Sequence, residues 1–200
     1  MSLPTYSSVS EVASIMQWMF DIARPYVKGR TLEIGSGRGE ISSFFVENKI
    51  PLHLSDTDQI NREKLREKFD GDPEVRNIHR MDLHKLNFDE DYSTIFGAFG
   101  TIFKLNLSQR PIDAPDIAKI KLLLRDGGHL IALMPAYTTL YNGLDADWRE
   151  LKKYNRGSII ELLGNSFDIL KTRYFSLPSF GSPTFGQTGL SSVVIARKKI

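Results

Sequence analysis

Cysteine is absent from all 200 residues, which excludes disulfides, thiolate metal sites and a cysteine nucleophile together. A reducing compartment suits such a chain, so a cytoplasmic location is expected. A surplus of one charge sign is also lacking. The 26 Lys and Arg side chains stand against 24 Asp and Glu, for a formal net charge of +2. That balance is too even for a nucleic-acid footprint, and no nucleic-acid partner is expected. Long hydrophobic runs are missing too: the longest, such as residues 130–134, fall far short of the ~20 apolar residues that span a bilayer. The N-terminus shows no basic segment followed by an apolar core, so no membrane span is expected. There is no internal repeat, low-complexity tract or dividing linker. None of the histidines has the companions of a metal site, so no metal is expected. What is present, 41% hydrophobic residues, suffices for one sizeable core, and a single domain over residues 1–200 is expected.

Ser8 and Glu11 have the spacing of a capping box, and Val12, Ile15, Met16, Met19 and Ile22 recur at helical spacing until Pro25. An amphipathic helix is expected within residues 1–28, either packed on a sheet or closing over a pocket as a lid. Residues 31–34, 51–55, 75–80, 94–99 and 129–134 read as strands. Helical patterns at residues 40–47, 59–69 and 116–125 alternate with them, and this alternation predicts right-handed crossovers and a parallel sheet. A short helix from Ser158 to Gly164 precedes strand-like runs at 167–175 and 190–197. The link between those runs, SLPSFGSPTFGQTG, suits a long hairpin loop better than a crossover. The predicted fold is α/β: an open sheet, mostly parallel, with a final antiparallel strand and helices on both faces.

Residues 31–40, TLEIGSGRGE, run from an apolar strand through three alternating glycines into a helix. Gly35, Gly37 and Gly39 allow a sharp turn and a close approach of backbone to ligand. A dinucleotide fingerprint places its third glycine three residues after the second, and that position is Glu40. A carboxylate beside a pyrophosphate disfavours a nicotinamide or flavin dinucleotide. A zwitterionic ligand without phosphates fits better.

The run from Leu32 to Gly39 resembles motif I of the class I S-adenosylmethionine-dependent methyltransferases, which implies a Rossmann-like sheet and S-adenosylmethionine as cofactor. The resemblance places Glu33 near the methionine ammonium, and Gly35, Ser36, Gly37 and Gly39 beneath the methionine and ribose. The second strand ends at Asp56, about twenty residues beyond the turn, where a carboxylate can accept from both ribose hydroxyls. Thr57 sits beside it, and Asp58 is read as the cap of the following helix. Asp82 takes the family's position for accepting from the adenine amino group, with the Leu83 backbone facing the ring. Ala98 and Phe99 close the fourth strand beside the methionine moiety. Ser93 stands where the family usually has an aspartate. The paired glycines Gly127 and Gly128 resemble the family's turn before the fifth strand, and Gly127 is read as a left-handed helix terminus.

A further stretch resembles a small, single-domain subgroup of these enzymes, methyltransferase type 11/12-like. Leu140, Tyr141, Leu144, Asp145, Lys152, Lys153, Tyr154 and Arg156 keep its register, while Arg149 and Glu150 stand where it has a Gly-His pair. Three irregular stretches, 100–115, 135–157 and 176–189, are expected to wall the acceptor pocket, and the acceptor is expected to be a small molecule or the small reactive end of a lipid-like or glycan-linked one. Should that acceptor have to lose a proton, Tyr141, Asp145 and Glu150 are the candidate catalytic residues. Trp148 and Tyr154 read equally as core or as substrate contacts. Two other readings stay open: an NAD(P)-dependent oxidoreductase, and a non-catalytic module that binds S-adenosylmethionine or a nucleoside. Oligomeric state is not indicated.

Overall fold

Apolar side chains alternate across the central strands, and this period of two builds a sheet buried on both faces. Leu130, Ala132 and Met134 enter one core cluster, while Ile131 and Leu133 enter the other. The computed structural model describes residues 9–83, 91–98, 112–135, 154–176, 184–186 and 191–200. In chain order the elements are α1 (Val9–Ala23), a 3-10 turn (Arg24–Tyr26), β1 (Thr31–Ile34), α2 (Glu40–Glu47), β2 (Leu52–Ser55), α3 (Gln59–Lys68), β3 (Val75–His79), β4 (Tyr92–Ala98), α4 (Ala114–Leu123), β5 (Leu124–Pro135), α5 (Arg156–Leu163), β6 (Phe167–Ser176), β7 (Thr184–Gly186) and β8 (Ser191–Lys198).

Among the described residues these strands form one sheet in the order β3-β2-β1-β4-β5-β8-β6-β7. β1 through β5 pair in parallel, and β8 inserts antiparallel between β5 and β6. Val193, Val194, Ile195 and Ala196 are all buried there, a continuous apolar run that suits a strand covered on both faces. The expected mostly parallel sheet with a final antiparallel strand is therefore observed. The expected hairpin loop after β6 also contains a strand: β7 pairs antiparallel with the end of β6. Its three residues lie in a run rich in glycine and proline, too short for a periodic signal.

Helices cover both faces. Met19, Phe20 and Ala23 of α1, Ile41 and Phe45 of α2, and Leu65 of α3 pack in one cluster; Ile117, Ile120 and Leu123 of α4 and Ile159 and Leu163 of α5 pack in the other. The C-terminal half of α1 thus belongs to the core. Pro25 ends α1 by starting the 3-10 turn. Ser8, the expected cap, lies outside the described residues.

Several boundaries differ from the sequence reading, each for a local reason. α4 starts at Ala114 because Asp113 and Asp116 form a reciprocal capping box. α5 starts at Arg156 because the Asn155 side chain, and not Ser158, is the cap, accepting from the Ser158 N–H at 2.9 Å. Gly127 does adopt a left-handed backbone (φ 71°), but α4 has already ended at Leu123. The glycine lies within β5, where the pairing with β4 slips between Leu124 and His129. Tyr154 is fully buried, and its hydroxyl donates to the Ile112 carbonyl; it is a core residue. No helix among the described residues is long and apolar enough to cross a membrane.

Candidate functional site

Strand order reverses at β1, whose neighbours are β2 on one side and β4 on the other. In open α/β sheets the crevice beyond the carboxyl ends of such strands is where ligands bind. The glycine turn leaves β1 at this point. Ser36 N–H donates to the Ser55 carbonyl at 2.8 Å, and Ser55 Oγ donates to the Glu33 carbonyl at 2.8 Å, so the turn is laced to the end of β2. Gly37 and Gly39 have φ of 61° and 77°, a region costly for residues with a Cβ. A Cβ on Gly39 would also lie 2.6 Å from Cε2 of Phe69, so glycine is required for α2 to approach the end of α3.

Two buried carboxylates flank the turn. Asp56 is 2% exposed, and its oxygens divide two backbone donors: Gly37 N–H reaches Oδ2 and Asp58 N–H reaches Oδ1, each at 2.9 Å. Arg62 donates to the carbonyls of Asp56 and Thr57 at 3.0 and 2.8 Å, fixing that corner from behind. Asp58 is a helix cap, its side chain accepting from Asn61 N–H at 3.0 Å. Glu33, 4% exposed, accepts from Ser42 Oγ of α2 at 2.5 Å. A buried charge is tolerated only with such partners.

The other expected cofactor contacts arrange themselves around the same edge. Asp82 and Leu83, both half-buried, follow β3, whose last residue, His79, accepts at its carbonyl from Asp56 N–H. Ile34 pairs with Gly97, which puts Ala98 one residue further on, level with the start of the turn. Ser93 lies at the opposite end of β4, where its N–H donates to the Arg30 carbonyl at 2.8 Å; its role there is structural. Phe99, Tyr141, Asp145 and Glu150 lie outside the described residues, as does most of the expected acceptor wall.

Sequence reasoning missed the supporting residues. Ser42 is wholly buried among the apolar positions of α2, and Arg62 is 9% exposed on the inner face of α3. A polar residue on an otherwise apolar helix stripe was the available signal in both cases. Lys68 adds a third support, its Nζ donating to the Gly39 carbonyl at 2.8 Å. Among the described residues no group of three or more His, Asp or Glu is placed to hold a metal ion.

No protein-family model and no curated protein sequence matches this chain. Solved structures do. An S-adenosylmethionine-dependent methyltransferase from Methanosarcina mazei superposes with a TM-score of 0.66 at 15% identity, over 90% of this chain and 97% of its own. A second such methyltransferase, from Clostridium acetobutylicum, gives 0.64 at 13% identity, over 98% of this chain and 94% of its own. The N-methyltransferase NodS from Bradyrhizobium japonicum, solved with S-adenosylhomocysteine, gives 0.65 at 13% identity, over 95% of this chain and 86% of its own. The chain therefore has the Rossmann-like fold of the S-adenosylmethionine-dependent methyltransferases, and at these identities the likeness is one of fold.

Proposed function

We propose that this protein is an S-adenosylmethionine-dependent methyltransferase acting on a small molecule, or on the small reactive end of a lipid-like or glycan-linked one. The observation that carries the reading is the pair of buried carboxylates, Glu33 and Asp56, set on either side of a left-handed glycine turn at the switch point. This donor set fits a ligand with an ammonium and a vicinal diol. It does not fit a pyrophosphate, which would face both negative charges with Glu40 also in the first turn of α2.

In this reading Glu33, held by Ser42, takes the methionine ammonium. The backbone of Gly35, Ser36, Gly37 and Gly39 supports the methionine and ribose. Asp56 accepts from the ribose hydroxyls with the lone pairs left after its two amide bonds, and Thr57 borders it. Asp82 and the Leu83 backbone meet the adenine, while Ala98 and Phe99 border the methionine side. When bound, S-adenosylmethionine supplies a sulfonium methyl group open to in-line attack. The protein's task is then to hold the nucleophile about 3 Å from that methyl, and positioning alone can supply much of the acceleration. Tyr141, Asp145 and Glu150 are the proposed acceptor-side residues, with Tyr141 offering both a ring and a hydroxyl.

Calorimetric titration tests the reading. S-adenosylmethionine and S-adenosylhomocysteine should bind and raise the melting temperature, because a ligand that binds only the native state stabilises it; NAD and NADP should do neither. Saturable heat with NAD and none with either sulfur ligand would overturn the proposal. Retained binding without turnover on a pooled acceptor extract would favour the non-catalytic module.

A further inference from the structure

A cavity lies at the amino ends of β1, β2 and β3, the opposite end of these strands from the glycine turn. Its volume is about 590 Å³, it is open to solvent, and its lining includes Lys28, Arg30, Lys49, Arg76 and His53 beside apolar residues such as Ile50. These residues precede or begin β1, β2 and β3, so the length of β1, about 13 Å at ~3.3 Å per residue, separates the cavity from the cofactor crevice. No carboxylate is among the described residues that line it. The volume is that of a small-molecule site.

The backbone at Lys49 gives a second, independent observation. α2 ends in a Schellman motif, with Lys49 N–H donating to the Val46 carbonyl at 3.0 Å and Ile50 N–H to the Phe45 carbonyl at 2.9 Å. That motif puts one residue in the left-handed region, and glycine or asparagine is the usual occupant. Here it is Lys49, at φ 57°, and among the described residues it alone is a non-glycine with positive φ. A strained backbone that carries a cation at the mouth of a basic cavity is the kind of outlier found where a side chain serves a ligand.

Arg30 is preordered at the same cavity. Its Nε donates to His53 Nε2 at 3.3 Å, and its guanidinium lies 5.0 Å from the centroid of the Tyr92 ring. His53 Nε2 must then carry a lone pair, which puts its proton on Nδ1, the nitrogen that lies 3.3 Å from His79 Nε2. The His53 tautomer is therefore tied to Arg30 and His79, and contacts to His53 and Tyr92 order Arg30 before any ligand arrives.

We propose that this cavity is a binding site for a small phosphorylated anion, a phosphate ester or pyrophosphate whose oxygens meet Lys28, Arg30, Lys49 and Arg76, the organic part of an ester lying against the apolar lining. Guanidinium and ammonium groups in such a cluster give charge-assisted bonds to phosphate oxygens. The contrary explanation of Lys49, a cation placed only to complement the C-terminal end of the α2 dipole, predicts a different outcome for the same variant.

The test is calorimetric titration of the full chain with inorganic pyrophosphate at fixed ionic strength, alongside inorganic phosphate, phenyl phosphate and a single-stranded RNA oligomer. One-to-one binding of pyrophosphate is expected, with S-adenosylhomocysteine unable to displace it. Lys49→Gly should raise the melting temperature by relieving the left-handed lysine, yet weaken pyrophosphate about tenfold; Arg76→Gln should weaken it about tenfold with the melting temperature unchanged. Phenyl phosphate binding more tightly than inorganic phosphate would support use of the apolar lining. The proposal is overturned by no saturable heat with pyrophosphate, by displacement with S-adenosylhomocysteine, by affinity unchanged in both variants, or by binding of the RNA without pyrophosphate.

Discussion

The backbone N–H of Gly37 donates to Oδ2 of the buried Asp56 carboxylate at 2.9 Å, joining the glycine turn after β1 to the acid that follows β2. The contact couples two roles that the sequence keeps nineteen residues apart. Asp56 is both part of the turn's architecture and the proposed ribose acceptor. With its second oxygen on Asp58 N–H, it is oriented before any ligand is present, which lowers the ordering cost of binding.

Asp56→Ala should therefore do more than remove a ligand contact. Cofactor affinity should fall at least tenfold, as expected for the loss of charge-assisted bonds worth about 1.5–3 kcal/mol each. Stability should also drop, by about 1–3 kcal/mol, because two part-buried backbone amides lose their charged acceptor. Titration with S-adenosylhomocysteine and urea unfolding measure the two effects; an unchanged dissociation constant would move the ribose site elsewhere.

Ser42→Ala tests the support behind Glu33. Removing a donor from a carboxylate that is 4% exposed should destabilise the fold by about 1–3 kcal/mol and weaken S-adenosylmethionine binding. Equal stability and equal affinity in the variant would show that Glu33 is held by its other neighbours.

Tyr141→Phe should leave the affinity for S-adenosylhomocysteine unchanged and lower turnover once an acceptor is found. The ring stays and only the hydroxyl goes, so any loss reports on orientation or proton transfer at the nucleophile. Unimpaired turnover would remove Tyr141 from the acceptor side.

His129 gives a pH signature. Burial first, then the positive charges of Lys28 and Arg197, lower its pKa below the ordinary 6.5. The unfolded chain then binds the proton more readily than the folded one, so the stability linked to this residue is present above pH 6.5 and is lost as pH falls toward the folded value. Urea unfolding of the wild type and of His129→Gln at pH values below and above 6.5 should show a shallower loss on acidification in the variant. Identical slopes would contradict this.

Much of the fold was legible because it rests on local signals. The β1 and α2 boundaries match the sequence reading residue for residue, since an apolar run, three glycines and an apolar helix stripe each signal within a few positions. Asp58 was readable as a helix cap for the same reason. β7 and the caps at Asp113 and Asn155 were not, because a three-residue strand has no period, and several polar residues near each helix start compete for the cap.

The sequence by itself determined the alternation of strand and helix, the glycine turn and the acid after the second strand, for these depend on residue type and spacing along the chain. Only the tertiary structure decided which groups meet. It placed β8 between β5 and β6, turned Asp56 onto Gly37 and Ser42 onto Glu33, and gathered Lys28, Arg30, Lys49 and Arg76 from separate loops and strands around one cavity. Those encounters come from packing two helical layers on one twisted sheet. They join residues far apart in sequence, and no local propensity encodes them.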